Sequence, residues 1–251
     1  MVYGRVQFAF CVVVVLQTIL YCDGQFERRI YEERSPLPFP TCRADNIECL
    51  RRSLRTFFFL MDTGDFGMKP IDPIIINSVA LTIPEHQKSF LLRRVNVTGA
   101  KWTKLIERRF NLKGGKSGVI FSTDLHLTGQ ISMEVPDKQE PYNAYITMDI
   151  QGAESNITYP WDIHRGIDNE DYIVIGPERI AVRNMRLPTY FLQPNSKDSH
   201  IIDEALQTKQ SILDHFSNEI TAAVMHSIVD NFKLFSTKVP IKFYYKYYNE
   251  E

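Results

Sequence analysis

Thr123-Asp124-Leu125-His126-Leu127-Thr128-Gly129-Gln130-Ile131-Ser132-Met133-Glu134-Val135 is the stretch that decides the fold. Leu125, Leu127, Gly129, Ile131, Met133 and Val135 share one parity, and polar residues fill the other. A period of two over this length predicts a long strand with one buried and one wet face. Ala144, Ile146, Met148 and Ile150 repeat the pattern against Tyr145, Thr147, Asp149 and Gln151. Val95, Val97 and Gly99 alternate with Asn96 and Thr98 in the same way. Further strand-like runs are Leu105 to Leu112 and Tyr172 to Phe191, the latter broken at Gly176-Pro177. One-sided strands in succession predict an antiparallel sheet.

Asn156 would fall on the buried parity if the strand from Ala144 ran on unbroken, so a turn or bulge is expected after Gly152. Beyond the strands the period changes. Ser199 to Val239 contains no Gly and no Pro, and Ile202, Leu206, Leu213, Phe216, Ile220, Val224, Ile228 and Phe232 recur at helical spacing. A single helix of some 35 residues would extend ~50 Å. One long amphipathic helix with one-sided strands predicts an α+β fold, a curved antiparallel sheet wrapped around a C-terminal helix. The tyrosine-rich residues 238–251 are expected to run out as a tail.

Upstream, Cys42 and Cys49 bracket the start of another helix. Asp45 is expected to cap it, with Glu48 as capping-box partner. Leu50, Leu54, Phe57, Phe58 and Met61 form its apolar face, and it stops at Thr63-Gly64. Phe57, Phe58 and Phe59 cannot all face one side, so some must meet a second apolar surface, a partner or a ligand. Asp72, between Pro70 and Pro73, is expected to cap local backbone amides.

The N-terminus has a basic residue, Arg5, then the apolar run Phe8 to Leu16, and small residues near Gln25. Nine apolar residues fall short of the ~20 that span a bilayer. Residues 1–24 are therefore expected to be a cleaved signal peptide, 25–35 a mobile arm, 36–247 a single domain and 248–251 a short tail. Removal of the signal takes Cys11 and Cys22 with it and leaves Cys42 and Cys49, an even pair in an oxidising compartment. A disulfide between them closes a loop of about eight residues, worth ~2.5 kcal/mol by chain entropy. Asn96-Val97-Thr98 and Asn156-Ile157-Thr158 are sequons consistent with secretion and glycosylation at Asn96 and Asn156.

Chemistry is hard to find. The formal net charge is −1 with both signs interspersed, which argues against a nucleic-acid partner. Lys113-Gly114-Gly115-Lys116-Ser117 lacks the first glycine of a phosphate loop and is expected to be a hairpin turn. There is no Gly-x-Ser-x-Gly and no His-Glu-x-x-His. The six scattered histidines are expected to be solvated or locally hydrogen-bonded, and Asp162 with His164 to lie in a loop. No enzyme activity, cofactor, metal or stable membrane insertion is expected.

The block from Cys42 to Leu81 resembles the takeout and juvenile hormone binding protein family. The likeness lies in the paired cysteines, the following helix, Gly64 and Gly67, and then Pro70-Ile71-Asp72-Pro73-Ile74. Val97-Thr98-Gly99, Asp124-Leu125-His126-Leu127-Thr128-Gly129, the helix from Ser199 and Lys238-Val239-Pro240 continue it from about Pro36 to Tyr247. Gln193–Asp198, Gly129-Gln130-Ile131 and Gly152–Asn156 depart from the family pattern and leave ligand identity open. The resemblance implies an elongated hydrophobic cavity and the extracellular carriage of a small lipophilic ligand, such as a terpenoid hormone, a fatty acid or another lipid. The ligand-facing side chains expected are Leu125, Leu127, Ile131 and Met133, then Ile146, Met148 and Ile150, then Phe216, Ile220 and Val224. Phe57, Phe58 and Met61 are expected to gate one end. The alternative is an extracellular interaction protein with the same fold and a filled core.

Overall fold

The computed structural model describes residues 37–84, 87–111, 115–136 and 138–246. The expected signal peptide (1–24), arm (25–35) and tail (248–251) lie outside the described residues, as do His86 and the turn residues 112–114. Chain order is β1 (Cys42–Arg43), α1 (Ile47–Thr63), β2 (Ile74–Ile83), β3 (Lys88–Thr98), β4 (Lys104–Asn111), β5 (Lys116–Glu134) and β6 (Tyr142–Arg165). Then follow β7 (Asp171–Ile175), β8 (Arg179–Asn184), β9 (Thr189–Gln193), α2 (Lys197–Thr208), α3 (Ser211–Ser236) and β10 (Tyr245–Lys246).

Strands β2 to β9 form one antiparallel sheet built on β5 and β6, 19 and 24 residues long. The free edge of β5 takes β4 beside its first half and β3 beside its second, with β2 beyond β3. The free edge of β6 takes β9, β8 and β7 in turn along its length. Strands this long twist, and bulges turn twist into curl. At one bulge Gln151 and Gly152 stand opposite Asp124 alone, between the pairs Thr123–Ala153 and Leu125–Ile150. Gly152 has φ +64° there. The parity of β6 flips across it. Ile146, Met148 and Ile150 are buried before the bulge, Ala153 and Ile157 after it, and Asn156 faces outward. The irregularity expected from Asn156 is thus present in the backbone.

The sheet curls around α3, which touches β2 at one margin and β8 at the other. Two polar clasps fix the helix in place. Buried Asn231 accepts from Lys69 N at 2.8 Å and donates to Lys69 O at 2.7 Å, holding the chain entering β2. Ser217 donates to Asn184 Oδ1 at 2.8 Å, and Asn184 Nδ2 donates to Asn218 Oδ1 at 3.0 Å, holding the end of β8. Asp72 does bond a backbone amide, but a distant one: its Oδ2 accepts from Gly99 N at 3.1 Å. Gly99 is required there, since a Cβ would stand 2.4 Å from Asp124 O, and φ is +102°.

Four expectations are corrected. The C-terminal helix is two helices, broken at Lys209-Gln210 without Gly or Pro. The apolar stripe skips from Leu206 to Ile212, and α2 packs on β6 and β9 while α3 lies across the sheet to β2 and β8, which one straight rod cannot do. The cap of α1 is Asn46, whose side chain accepts from Cys49 N at 3.0 Å; Asp45 is taken up by Arg43 at 3.1 Å. Asp162 and His164 lie on exposed β6 positions paired with β7, not in a loop. The chain after α3 does not run out. It folds back, Cys42 N donates to Tyr244 O at 3.1 Å, and β10 pairs in parallel with β1. The Cys42–Cys49 disulfide is present beside this junction.

Candidate functional site

An apolar cavity of about 100 Å³ lies at the C-terminal end of α3. α1 contributes Leu50, Leu54 and Phe57, and α3 contributes Ile228, Val229, Phe232 and Phe235. The sheet adds Leu105 and Arg108 from β4, Val119 and Phe121 from β5, Tyr159 from β6 and Ile175 from β7. Phe39, Ser53, Tyr244 and Tyr245 complete the wall. Phe235 is its hub, with ring centroids at 4.9 Å from Phe57, 5.5 Å from Phe66 and 5.5 Å from Tyr244. Phe57 and Phe66 meet it edge to face and Tyr244 is tilted at 55°, which favours contact beyond the area buried.

The polar groups gather on one wall. Arg108 sits with its guanidinium 4.6 Å from the centroid of the Tyr245 ring and donates to Ala44 O at 3.2 Å. Burial pushes the Tyr159 hydroxyl up to about 12; Tyr245 adds to the effect, while Arg108 and the neighbouring Ser117 hydroxyl oppose it. Burial raises the Tyr244 hydroxyl well above the usual phenol range, with Tyr245 and Tyr159 adding to it. Both phenols therefore stay protonated at neutral pH and keep an O–H to donate. The Tyr244 hydroxyl is buried and makes no hydrogen bond. An unmade bond of this kind is costly, and a hydrogen-bond acceptor that reached this hydroxyl would relieve it. The arrangement can hold an apolar segment and one acceptor group.

Of the expected ligand-facing residues, Phe57 lines this cavity. Phe58 and Met61 are buried on the same helix. Phe59 is half exposed, with its ring edge-on to Trp102. Leu125, Leu127, Ile131, Met133, Ile146, Met148 and Ile150 are buried on the sheet, and Phe216, Ile220 and Val224 on α3, outside the cavity lining. The structure brings them together as close-packed core further along α3. The lining residues that sequence reasoning missed had one visible signal. The α3 stripe continues past Val224 to Ile228 and Phe232 and meets the tyrosine-rich end of the chain.

Titratable groups elsewhere serve the surface. His126 meets Asp149 at 2.6 Å and His226 meets Glu178 at 2.6 Å, the local pairing expected of them. Burial opposes ionisation of Glu178, but hydrogen bonds from Lys233, its own backbone and His226 outweigh it and hold the carboxyl at about 2. Among the described residues no group of three or more metal-ligating side chains occurs, and no helix is long and apolar enough to cross a membrane.

No protein-family model and no curated protein matches the chain. Solved structures do. Takeout 1 of Epiphyas postvittana superposes with a TM-score of 0.69 at 15% identity, over 82% of this chain and 99% of that one. A lipopolysaccharide binding protein aligns at 9% identity over 72% of this chain and 35% of its own, with a TM-score of 0.37, too low to bear on the argument. The chain has the curled antiparallel sheet and helices of the Takeout fold.

Proposed function

We propose that this protein is a secreted, non-enzymatic carrier that holds a small hydrophobic molecule in the cavity between α1, the sheet and the C-terminal end of α3. The observation that carries the proposal is the cavity itself: walls of aromatic and aliphatic side chains, with Tyr244, whose buried hydroxyl has no partner, among the lining residues. Ligand sites of carriers are mostly apolar with few polar anchors. The Takeout-like fold and the Cys42–Cys49 bridge support it. At about 100 Å³ the void is smaller than the roughly 150 Å³ cavity that accepts benzene. A ligand would therefore insert one end here, polar group toward Tyr244 and Tyr159, with the remainder leaving between the side chains at the mouth or displacing core toward Phe216, Ile220 and Val224. The sequons Asn96 and Asn156 both face outward, where glycan would not meet the core.

The alternative, an interaction protein with a filled core, is favoured by the close packing of Leu127, Ile146, Met148 and Phe216. Titration with a fluorescent fatty acid separates the two. Saturable uptake, reduced when Val229 is replaced by Trp to fill the cavity, is expected of a carrier. Absence of uptake by the folded wild type would leave the filled-core account standing.

A further inference from the structure

The outer face of α1, opposite the cavity, carries a surface feature that ligand binding does not explain. Phe59, Trp102 and Ile106 are 48%, 52% and 44% exposed. They form one patch. The Phe59 and Trp102 rings meet edge-on at 6.2 Å, and Arg55 lies 5.9 Å from the Trp102 centroid. Arg51 Nε donates to Leu105 O at 2.9 Å and an Arg51 terminal nitrogen donates to Ile106 O at 3.2 Å, tying the helix to the strand that bears Ile106. Arg52 on α1 and Lys104 at the start of β4 are exposed, and Lys101 meets Asp62 at 3.5 Å. Six cations (Arg51, Arg52, Arg55, Lys101, Lys104, Arg109) stand with three carboxylates, Glu48, Asp62 and Glu107, a local excess of three positive charges on a chain whose net charge is −1.

We propose that this face docks on an anionic lipid surface. Tryptophan and phenylalanine ringed by arginine and lysine suit the boundary between headgroups and acyl chains. The charge excess lies on the face that carries the exposed rings, so attraction orients the molecule. A second copy of the same face would bring the excess against itself, which disfavours self-association. Docked this way, α1 lies at the lipid surface with Leu50, Leu54 and Phe57 on its other side lining the cavity. The helix then stands between the membrane and the pocket. Docking itself does not depend on what the cavity holds.

The test is partition of the full chain between buffer and vesicles of phosphatidylcholine, with or without phosphatidylglycerol. Trp102 is one of two tryptophans, and the other, Trp161, is buried, so indole emission reports on the patch. Binding to phosphatidylglycerol vesicles with blue-shifted emission is expected, and Trp102→Phe should abolish the shift. Each basic residue near an anionic surface is worth roughly fivefold in partition. The double reversal Arg52→Glu with Lys104→Glu, at two exposed positions, should therefore weaken partition by about 25-fold or more while thermal unfolding stays unchanged. No partition, equal partition onto pure phosphatidylcholine, or no loss in the double variant would overturn the proposal. So would a concentration-dependent dimer that buries Trp102 without vesicles. Fatty-acid uptake from solution, run beside it on the same variants, reports on the carrier function separately and should not change.

Discussion

Replacing Tyr244 by Phe removes one atom and makes two predictions of opposite sign. The hydroxyl is buried and unpaired, with its ring against Phe235 at 5.5 Å. Phenylalanine keeps the ring and deletes only the unsatisfied group. A buried donor without a partner costs about 1–3 kcal/mol, so the variant should be as stable as the wild type or more stable by up to that amount. For a domain of this size each kcal/mol moves Tm by about 2–4 °C, which differential scanning calorimetry resolves. Binding should move the other way. A ligand that accepts from Tyr244 loses a hydrogen bond worth about 0.5–1.5 kcal/mol if neutral, or 1.5–3 if charged, a weakening of roughly 2- to 150-fold. A ligand with the same chain and no oxygen should bind both proteins equally. Calorimetry of Tyr244→Phe with a fatty acid and with the matching hydrocarbon gives all three numbers. A variant less stable than wild type, or equal loss for acid and hydrocarbon, would refute the reasoning, because the hydroxyl would then have a structural partner.

Other outcomes follow from the same geometry. Phe235→Ala empties the hub of the ring cluster and should cost about 3–5 kcal/mol in urea unfolding, at the upper end because several ring contacts go with it. Glu178 has a folded value of about 2 against a usual 4.5, so its contribution is full above pH 4.5 and is lost as pH falls toward 2. That contribution reaches about 3 kcal/mol by linkage and nearer 1–2 after solvent screening of the partly exposed Lys233 and His226. Glu178→Gln should flatten the acid limb of stability against pH, measured by denaturation at fixed urea. Gly99→Ala sets a Cβ against Asp124 O and should destabilise by about 1–3 kcal/mol or abolish folding, read by thermal melts. Cys42→Ser with Cys49→Ser should cost about 2.5 kcal/mol and loosen the β1–β10 junction first, visible as faster hydrogen exchange at the amide of position 42 and its neighbours.

The sheet was legible because its signal is local and repeated. Alternation from Thr123 to Val135 marks the second part of β5, and the parity of Asn156 calls for an irregularity after Gly152, which the backbone makes at Gln151-Gly152. The disulfide followed from a count of cysteines. The helix break at Lys209 left no such mark, since no helix-breaking residue stands there and the bend answers to two different packing surfaces. Nor did Asn46 announce itself over Asp45, because both are good caps and the choice depends on Arg43. The cavity was the least legible part. Its walls draw one to four residues each from α1, β4, β5, β6, β7, α3 and the returning C-terminus, and hydrophobic periodicity marks all inward residues alike whether or not a void lies beside them. Tyr244 becomes a site residue only through a tertiary contact with the segment around Cys42.

The central claim is that the container between α1 and α3 holds a small apolar molecule. Native mass spectrometry of protein purified from its source, followed by organic extraction, tests it most directly. The claim predicts a mass excess of one small molecule per chain, released on denaturation, soluble in organic solvent and carrying at least one oxygen. A mass equal to that of the processed, glycan-stripped chain, in a folded protein that also fails to take up fatty acid, would contradict it.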